Sequence, residues 1–435
     1  MTTHLPERLR DLADEAPRAL SADGLWRDGR RRHRRRMTTV AVVVGTVVAL
    51  SAGVGYGDHR SRQPEPVTPP VNGARPMAIP DPLFNPSPWL PGTRKPGRLV
   101  AVFSSTRGRF PFGSERNAIV GVAAGSQTYR FLDLPGTAPE DPDAYLSPDG
   151  KHIAYWVSRR QGDPSVVPDS VVGVAVLDLT TGAVERHAVD VRYGLTPQSL
   201  SWADSKTVVM VAGHFTSSGR TSYSGRTRTY LAAVGDPTTH STPGRGNVLD
   251  IPVTSTGGVA AGMVGHRRLR SYDAGSLQPR PDVILSTPVK SLAYEPSHGL
   301  VAGTAGNIDA SGPTSGQLVV GRVVEGRVHL SQVPDGRRYD QVVTWVDRTH
   351  LAPVRHTRDG LAYDVVDVRT GDRRQLTSKP WYAFEVARDA LRLATTVPGV
   401  APPSPWNPRW VALGVLVLVG AGGTVLLLGR SRGRL

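Results

Sequence analysis

The stretch AYLSPDGKHIAYWV, residues 144–157, places two short runs of strand-favouring residues on either side of Ser147-Pro148-Asp149-Gly150. Proline presets the first turn dihedral and glycine supplies positive φ, so the stretch reads as a tight β-hairpin. The pattern returns as Ser201-Trp202-Ala203-Asp204-Ser205 before Val208, and as Thr344-Trp345-Val346-Asp347-Arg348 before Leu351, with weaker copies around Tyr294 and Asp389. A second motif follows the first: Val176-Leu177-Asp178-Leu179-Thr180-Thr181-Gly182 and Val366-Asp367-Val368-Arg369-Thr370-Gly371. Degenerate versions surround Gly275 and Gly326.

Asp149, Asp204, Glu295, Asp347 and Asp389 fall one or two multiples of about 45 residues apart, the period of a four-stranded propeller blade. Between them, short runs rich in Val, Leu, Tyr and Thr alternate with Gly, Pro, Asp and Ser, and no long helical periodicity appears. The sequence therefore predicts an all-β domain over 98–398, a β-propeller of six blades. The count becomes seven if Leu99–Leu134 stands alone instead of completing the blade begun by Phe384–Val397. Trp156, Trp202 and Trp345 are expected at equivalent inner-strand positions, packed between blades.

Two apolar segments flank this domain. Residues 37–56, MTTVAVVVGTVVALSAGVGY, carry no charge and follow Arg30, Arg31, Arg32, Arg34, Arg35 and Arg36. The length suits a transmembrane helix, and the basic cluster holds the N-terminus in the cytoplasm. A cleavable signal peptide is the alternative, with a shorter apolar core than this one. The second segment, 410–429, opens on Trp410 and is followed by a basic tail, 430–435, with Arg430, Arg432 and Arg434. Both clusters place the termini inside and the middle of the chain outside, anchored in the plasma membrane. Proline-rich stretches at 57–97 and 399–409 read as spacers.

Of the formal net charge of +15, the two tails supply 7: residues 1–36 hold ten Arg against six acidic residues, and Arg430, Arg432 and Arg434 add three. That distribution points to membrane topology and a lipid bilayer as partner, with no nucleic acid expected. The chain has no cysteine, which excludes disulfides, thiolate metal sites, cysteine nucleophiles and the His/Cys zinc motif of anti-sigma domains. No G-x-S-x-G elbow, H-E-x-x-H pair, calcium loop or Walker motif occurs, and the twelve His are scattered singly. His152 and His350 read as structural, and Asp141-Pro142-Asp143 as a loop. No catalytic residue, metal site or cofactor is expected.

The Ser-Pro-Asp-Gly turn followed by Ile153-Ala154-Tyr155-Trp156, together with Leu177-Asp178-Leu179-Thr180-Thr181-Gly182, resembles the repeats of TolB-like and WD-repeat-like bacterial propellers over about 250 residues. That resemblance implies a binding platform with no fixed ligand. The tail, 1–36, places Leu5, Leu9 and Leu12 at helical spacing, with Leu25 and Trp26 as a second apolar patch. Its opening is similar to membrane proteins often encoded beside extracytoplasmic-function sigma factors, which implies a sigma factor or another cytoplasmic protein as partner. A lipid-surface helix is the competing reading. Three functional classes follow, in this order: an envelope sensor coupling an unknown outer ligand to the tail, a passive surface binding module, and an enzyme with an unrecognised site.

Overall fold

Ser147 and Asp149 build the first hairpin turn almost by themselves. The Ser147 hydroxyl accepts from the Lys151 and His152 amides and donates to Asp149 Oδ1 at 2.7 Å, while Gly150 takes φ +71°. Asp204 and Asp347 do the same work in their copies, each accepting two backbone amides two and three residues on. The second motif repeats this capping at Asp178, Asp273 and Asp367. Burial pushes the Asp178 carboxyl up, but the Thr180 and Thr181 hydrogen bonds outweigh it and hold the group at about 2.

The computed structural model describes residues 77–405 and 407, apart from 109–114, 138–142, 159–169, 218–222, 242–250, 256–257, 277, 307–314 and 381–383. The chain divides into two units, residues 1–73 with 409–435 and residues 74–408, and the described residues all fall in the second. Leu5, Leu9, Leu12, Leu25, Trp26 and both apolar segments lie outside them. Among the described residues no helix is long and apolar enough to cross a membrane.

The domain opens with β1 (Ile79–Asp81), β2 (Gly92–Thr93), β3 (Leu99–Arg107), β4 (Arg116–Ala123) and β5 (Tyr129–Leu132). Next come β6 (Ala144–Leu146), β7 (His152–Ser158), β8 (Val171–Asp178) and β9 (Val184–Ala188). They are followed by β10 (Leu195–Trp202), β11 (Thr207–Phe215), β12 (Tyr223–Ala233) and β13 (Thr239–Ser241). The chain continues through β14 (Ile251–Ser255), β15 (Val259–Val264), β16 (Arg268–Asp273) and β17 (Val283–Leu285). Then β18 (Ser291–Glu295), β19 (Leu300–Ala305), β20 (Gly316–Val324), β21 (Arg327–Val328), β22 (Ser331–Gln332) and β23 (Arg338–Tyr339) appear. The last strands are β24 (Gln341–Trp345), β25 (His350–Thr357), β26 (Gly360–Asp367), β27 (Arg373–Pro380), β28 (Phe384–Val386) and β29 (Thr396–Pro398). A single short helix among the described residues, α1 (Arg388–Leu393), separates β28 from β29.

Consecutive antiparallel strands form the runs β6 to β9, β10 to β13, β14 to β17, β18-β19-β20-β22, and β24 to β27; a short β8–β10 pairing joins the first two into one sheet, and the parallel β14–β18 pairing helps join the next two. The remaining run draws on both ends of the domain, because β28 pairs with β3, Phe384 opposite Phe103, and continues through β4 and β5. Phe384 therefore completes the sheet of Leu99–Leu132.

Each run shares an apolar core with the next. Trp156 and Trp202 lie in one cluster, and Ala203, Val209 and Ala260 in another. Met263 meets Val301, and Ala302 meets Trp345. The largest cluster joins β3 to β5 both to Tyr155 and Leu177 on one side and to Ala352 and Leu376 on the other. The fold is thus all-β, and this continuous succession of cores is compatible with a β-propeller.

Three expectations change. Residues 77–97 were expected as spacer, yet Met77, Ile79 and Leu83 are almost wholly buried and β1 pairs in parallel with β29. Proline is tolerated there because β1 lies at the edge of a two-stranded strap, where a missing N–H is not needed. Trp156 does not share the position of Trp202 and Trp345: it sits mid-strand in β7, whereas the other two end the strand before their turn, a place taken in the first hairpin by Leu146. All three tryptophans are buried between runs as expected. Asp389, expected in a hairpin turn, lies in the first turn of α1, whose Arg-Asp-Ala-Leu-Arg-Leu sequence favours helix and buries Ala390 and Leu391.

Candidate functional site

Where the first strands of four runs converge they line an open cavity of about 420 Å³. Its wall combines Ser104, Asp143, Tyr145, Ser199, Ser201, Trp202, Gln341, Tyr363, Phe384, Glu385 and Arg388 with aliphatic side chains. Glu385 reaches it through strand alternation. Phe384 and Val386 point into the core, so the residue between them faces the other side. Its Oε2 accepts the Leu146 amide at 2.7 Å, tying the closing strand to β6.

Burial pushes the Glu385 carboxyl up to about 7 against the pull of that amide and the Arg388 guanidinium. Burial likewise lowers Arg388 to about 10, opposed first by Glu385. Arg388 donates to the carbonyl of Trp202, whose indole in turn donates to the Tyr145 carbonyl at 2.9 Å. Tyr363 donates to the Phe384 carbonyl at 2.9 Å, and burial raises its phenol.

The helix α1 lies across the turn-side ends of these strands. The Asp389 amide donates to the Pro148 carbonyl at 3.1 Å, Arg392 to Glu295 at 3.3 Å, and Arg374 to the Ala394 carbonyl at 2.8 Å. The six-residue helix and the residue that caps it, Ala394, are thereby bonded to β18, β27 and the turn after β6, while Arg388 holds β10.

A proton that binds more tightly in the folded than in the unfolded chain stabilises the fold while it is bound. With its pKa raised from 4.5 to about 7, Glu385 contributes most below 4.5, and that contribution is lost as pH rises through about 7. Comparing urea midpoints at about pH 5 and about pH 8, the wild type should lose on the order of 2–3 kcal/mol relative to Glu385→Gln. An identical pH dependence in both proteins would show that the carboxyl is solvated like a surface group.

His350 and His152, read as structural from the sequence, stand at a turn and at a strand start. His350 sits in the Asp347 turn, 2.9 Å from Asp347 Oδ2 and 3.7 Å from Asp367 Oδ2, and His152 begins β7 with its ring 6.2 Å from that of Trp202. Among the described residues no group of three or more His, Asp or Glu could hold a metal ion. Asp143, expected as loop, borders the cavity, and Asp141 lies outside the described residues.

Sequence reasoning missed Glu385 and Arg388, which stand in a short segment without periodicity. It also missed two buried charges. Asp364 takes Arg355 at 2.7 Å and Arg373 at 3.2 Å, and the Lys379 ammonium lies 4.4 Å from the Phe103 ring centre, lowered by burial to about 8.

No protein-family model matches this chain, and no curated protein matches it. Among solved structures, a chain of Kuenenia stuttgartiensis hydrazine synthase is similar, with 14% identity over 56% of this chain and 66% of that one, at a TM-score of 0.35. A likeness of that size carries no functional argument.

Proposed function

We propose that this chain is a membrane-anchored, six-bladed β-propeller of TolB-like or WD-repeat-like character. In this reading it is held outside the cytoplasm by two transmembrane helices and works as a non-enzymatic sensor, coupling an outer ligand to a cytoplasmic partner of its N-terminal tail. The observation that carries the reading is the closing pair β28–β3 beside the cavity. It joins the two ends of the domain in one sheet and leaves a recess among the first strands of four runs, an arrangement that supports a closed propeller. Glu385 and Arg388 each hold a neighbouring strand through one polar atom, which suits a binding platform better than proton transfer. The anchoring rests on residues 37–56 and 410–429 and their flanking arginines.

The absence of native cysteine makes topology directly testable. Val324 is 64% exposed, so Val324→Cys in the full chain should react with a membrane-impermeant maleimide in intact cells. Labelling only after lysis would place the domain in the cytoplasm and end this reading. For the sensor function, a cytoplasmic protein, a sigma factor above all, should co-purify with the full chain and be lost on combined Leu5→Ala, Leu9→Ala and Leu12→Ala substitution. Co-purification of nothing that depends on these leucines would reduce the protein to a passive binding module.

A further inference from the structure

We propose that the cavity is a one-mouthed site for a small, uncharged, polyhydroxylated ligand of the saccharide class, floored by α1 and entered past Asp143, Ser199 and Gln341. The assignment deepens the binding-module reading and rests on it.

The direction of entry follows from strand register. Leu146, Trp202 and Trp345 each end a first strand immediately before its turn, and α1 is bonded at that end, to the Pro148 and Trp202 carbonyls and to Glu295. Asp143, Ser199 and Gln341 stand three or four residues earlier, which at a strand's rise is roughly 10–13 Å further along the cavity. Asp143 and Gln341 are exposed and Ser199 is half-buried, as befits an open rim. Access from the turn side is obstructed by the helix, whose Ala390 and Leu391 are wholly buried.

The ligand class follows from the chemistry of the wall. A volume of about 420 Å³ lies within the range of small-molecule sites. Carboxylates at Asp143 and Glu385 face the same space as the Arg388 guanidinium. A ligand carrying one sign of charge would set one of these groups against it, which disfavours such ligands. A hydroxyl both donates and accepts, so it satisfies either sign. Beside the Oε2 that takes the Leu146 amide, Glu385 carries a second carboxyl oxygen, and the Gln341 amide presents an acceptor next to a donor, the pair that adjacent hydroxyls on a ring match. Half-buried Tyr145 adds an apolar ring to the same wall for the carbon face of such a ligand.

The test is titration calorimetry on the full chain in detergent, with glucose, N-acetylglucosamine and maltose as saccharide probes and glycine, lysine and inorganic phosphate as charged ones. At least one saccharide should bind saturably, and Gln341→Ala and Glu385→Gln should each weaken it by about tenfold, the loss expected for one hydrogen bond. Gln341 is exposed, so its variant keeps the test readable even where Glu385→Gln fails to fold. Binding of glycine, lysine or phosphate in place of the saccharides overturns the assignment. So does binding of none of the probes, or saccharide binding that both variants leave unchanged. The labelling of Val324→Cys is independent of these outcomes, so failure of the ligand class is distinguishable from failure of the anchored-module reading.

Discussion

Phe384→Ala is expected to destabilise the folded domain by about 3–5 kcal/mol, the cost of truncating a large aromatic in a packed core. Phe384 is 7% exposed, its ring centre lies 4.8 Å from that of Tyr363, and its strand is the one that joins the two ends of the domain. Two terms add in the same direction. The removed ring loses its transfer free energy, and the core loses an aromatic that the surrounding strands, fixed by backbone pairing, cannot move to replace. Closure makes the position more sensitive than an ordinary core residue. The β28–β3 pairing brings together segments far apart in the chain, so few contacts offset its ordering cost. Urea unfolding of the full chain in detergent, followed by tryptophan fluorescence, measures the change. Val400→Ala, at a side chain 59% exposed, serves as control and should stay within about 0.5 kcal/mol of wild type. A loss below about 1 kcal/mol for Phe384→Ala would mean that the ring's removal is absorbed by repacking and that β28 does not hold the domain closed.

Gly150→Ala should cost about 2–4 kcal/mol, combining left-handed strain with a lost hydrogen bond. Gly150 has φ +71°, and a Cβ at this position would stand 2.1 Å from the Leu99 carbonyl oxygen. That oxygen belongs to the backbone and cannot swing aside as a side chain would. Relief therefore requires the turn to withdraw from β3, breaking the 2.8 Å bond from the Leu99 amide to the Gly150 carbonyl. Gly235→Ala separates the two contributions. Gly235 has φ +87°, but an added methyl would meet nothing within 4 Å. Only the conformational strain applies there, about 1–2 kcal/mol. Equal losses at the two positions, read as urea midpoints, would show that steric contact with β3 contributes nothing and that the first hairpin is free of the closing sheet.

These two glycines also mark how far local sequence reaches. Ser147-Pro148-Asp149-Gly150 announces its turn without help, because the hydroxyl, the carboxylate and the unsubstituted Cα act within a span of a few residues. The same holds for the Asp178 and Asp367 turns, and so the strand-rich character and the repeat were legible. That Gly150 also packs against Leu99 was not legible, since nothing near position 150 records which strand will lie beside it.

The site was less legible than the fold for the same reason. Phe384-Glu385-Val386 is too short for alternation to be recognised, and Arg388–Leu393 too short for a helical period. Around Asp389 the sequence carries a weak copy of the turn pattern, and the packing of Ala390 and Leu391 makes it helical. The proline content of 57–97 suggested a spacer, but Met77, Ile79, Leu83 and Leu90 between the prolines found a core to enter.

By itself the sequence determined the all-β character, the hairpin turns and their Asp caps, the exclusion of cysteine chemistry, and the two apolar segments with their charged flanks, all of which depend on interactions within a few residues or on composition. Only the tertiary structure decided that β28 closes the sheet begun by β3, that residues 77–97 join the core, and that Glu385 and Arg388 meet Leu146 and Trp202 at one cavity. Those contacts join residues far apart in the chain, and a pairing of that range is set by the summed burial of the whole domain, leaving no mark on the residues beside it.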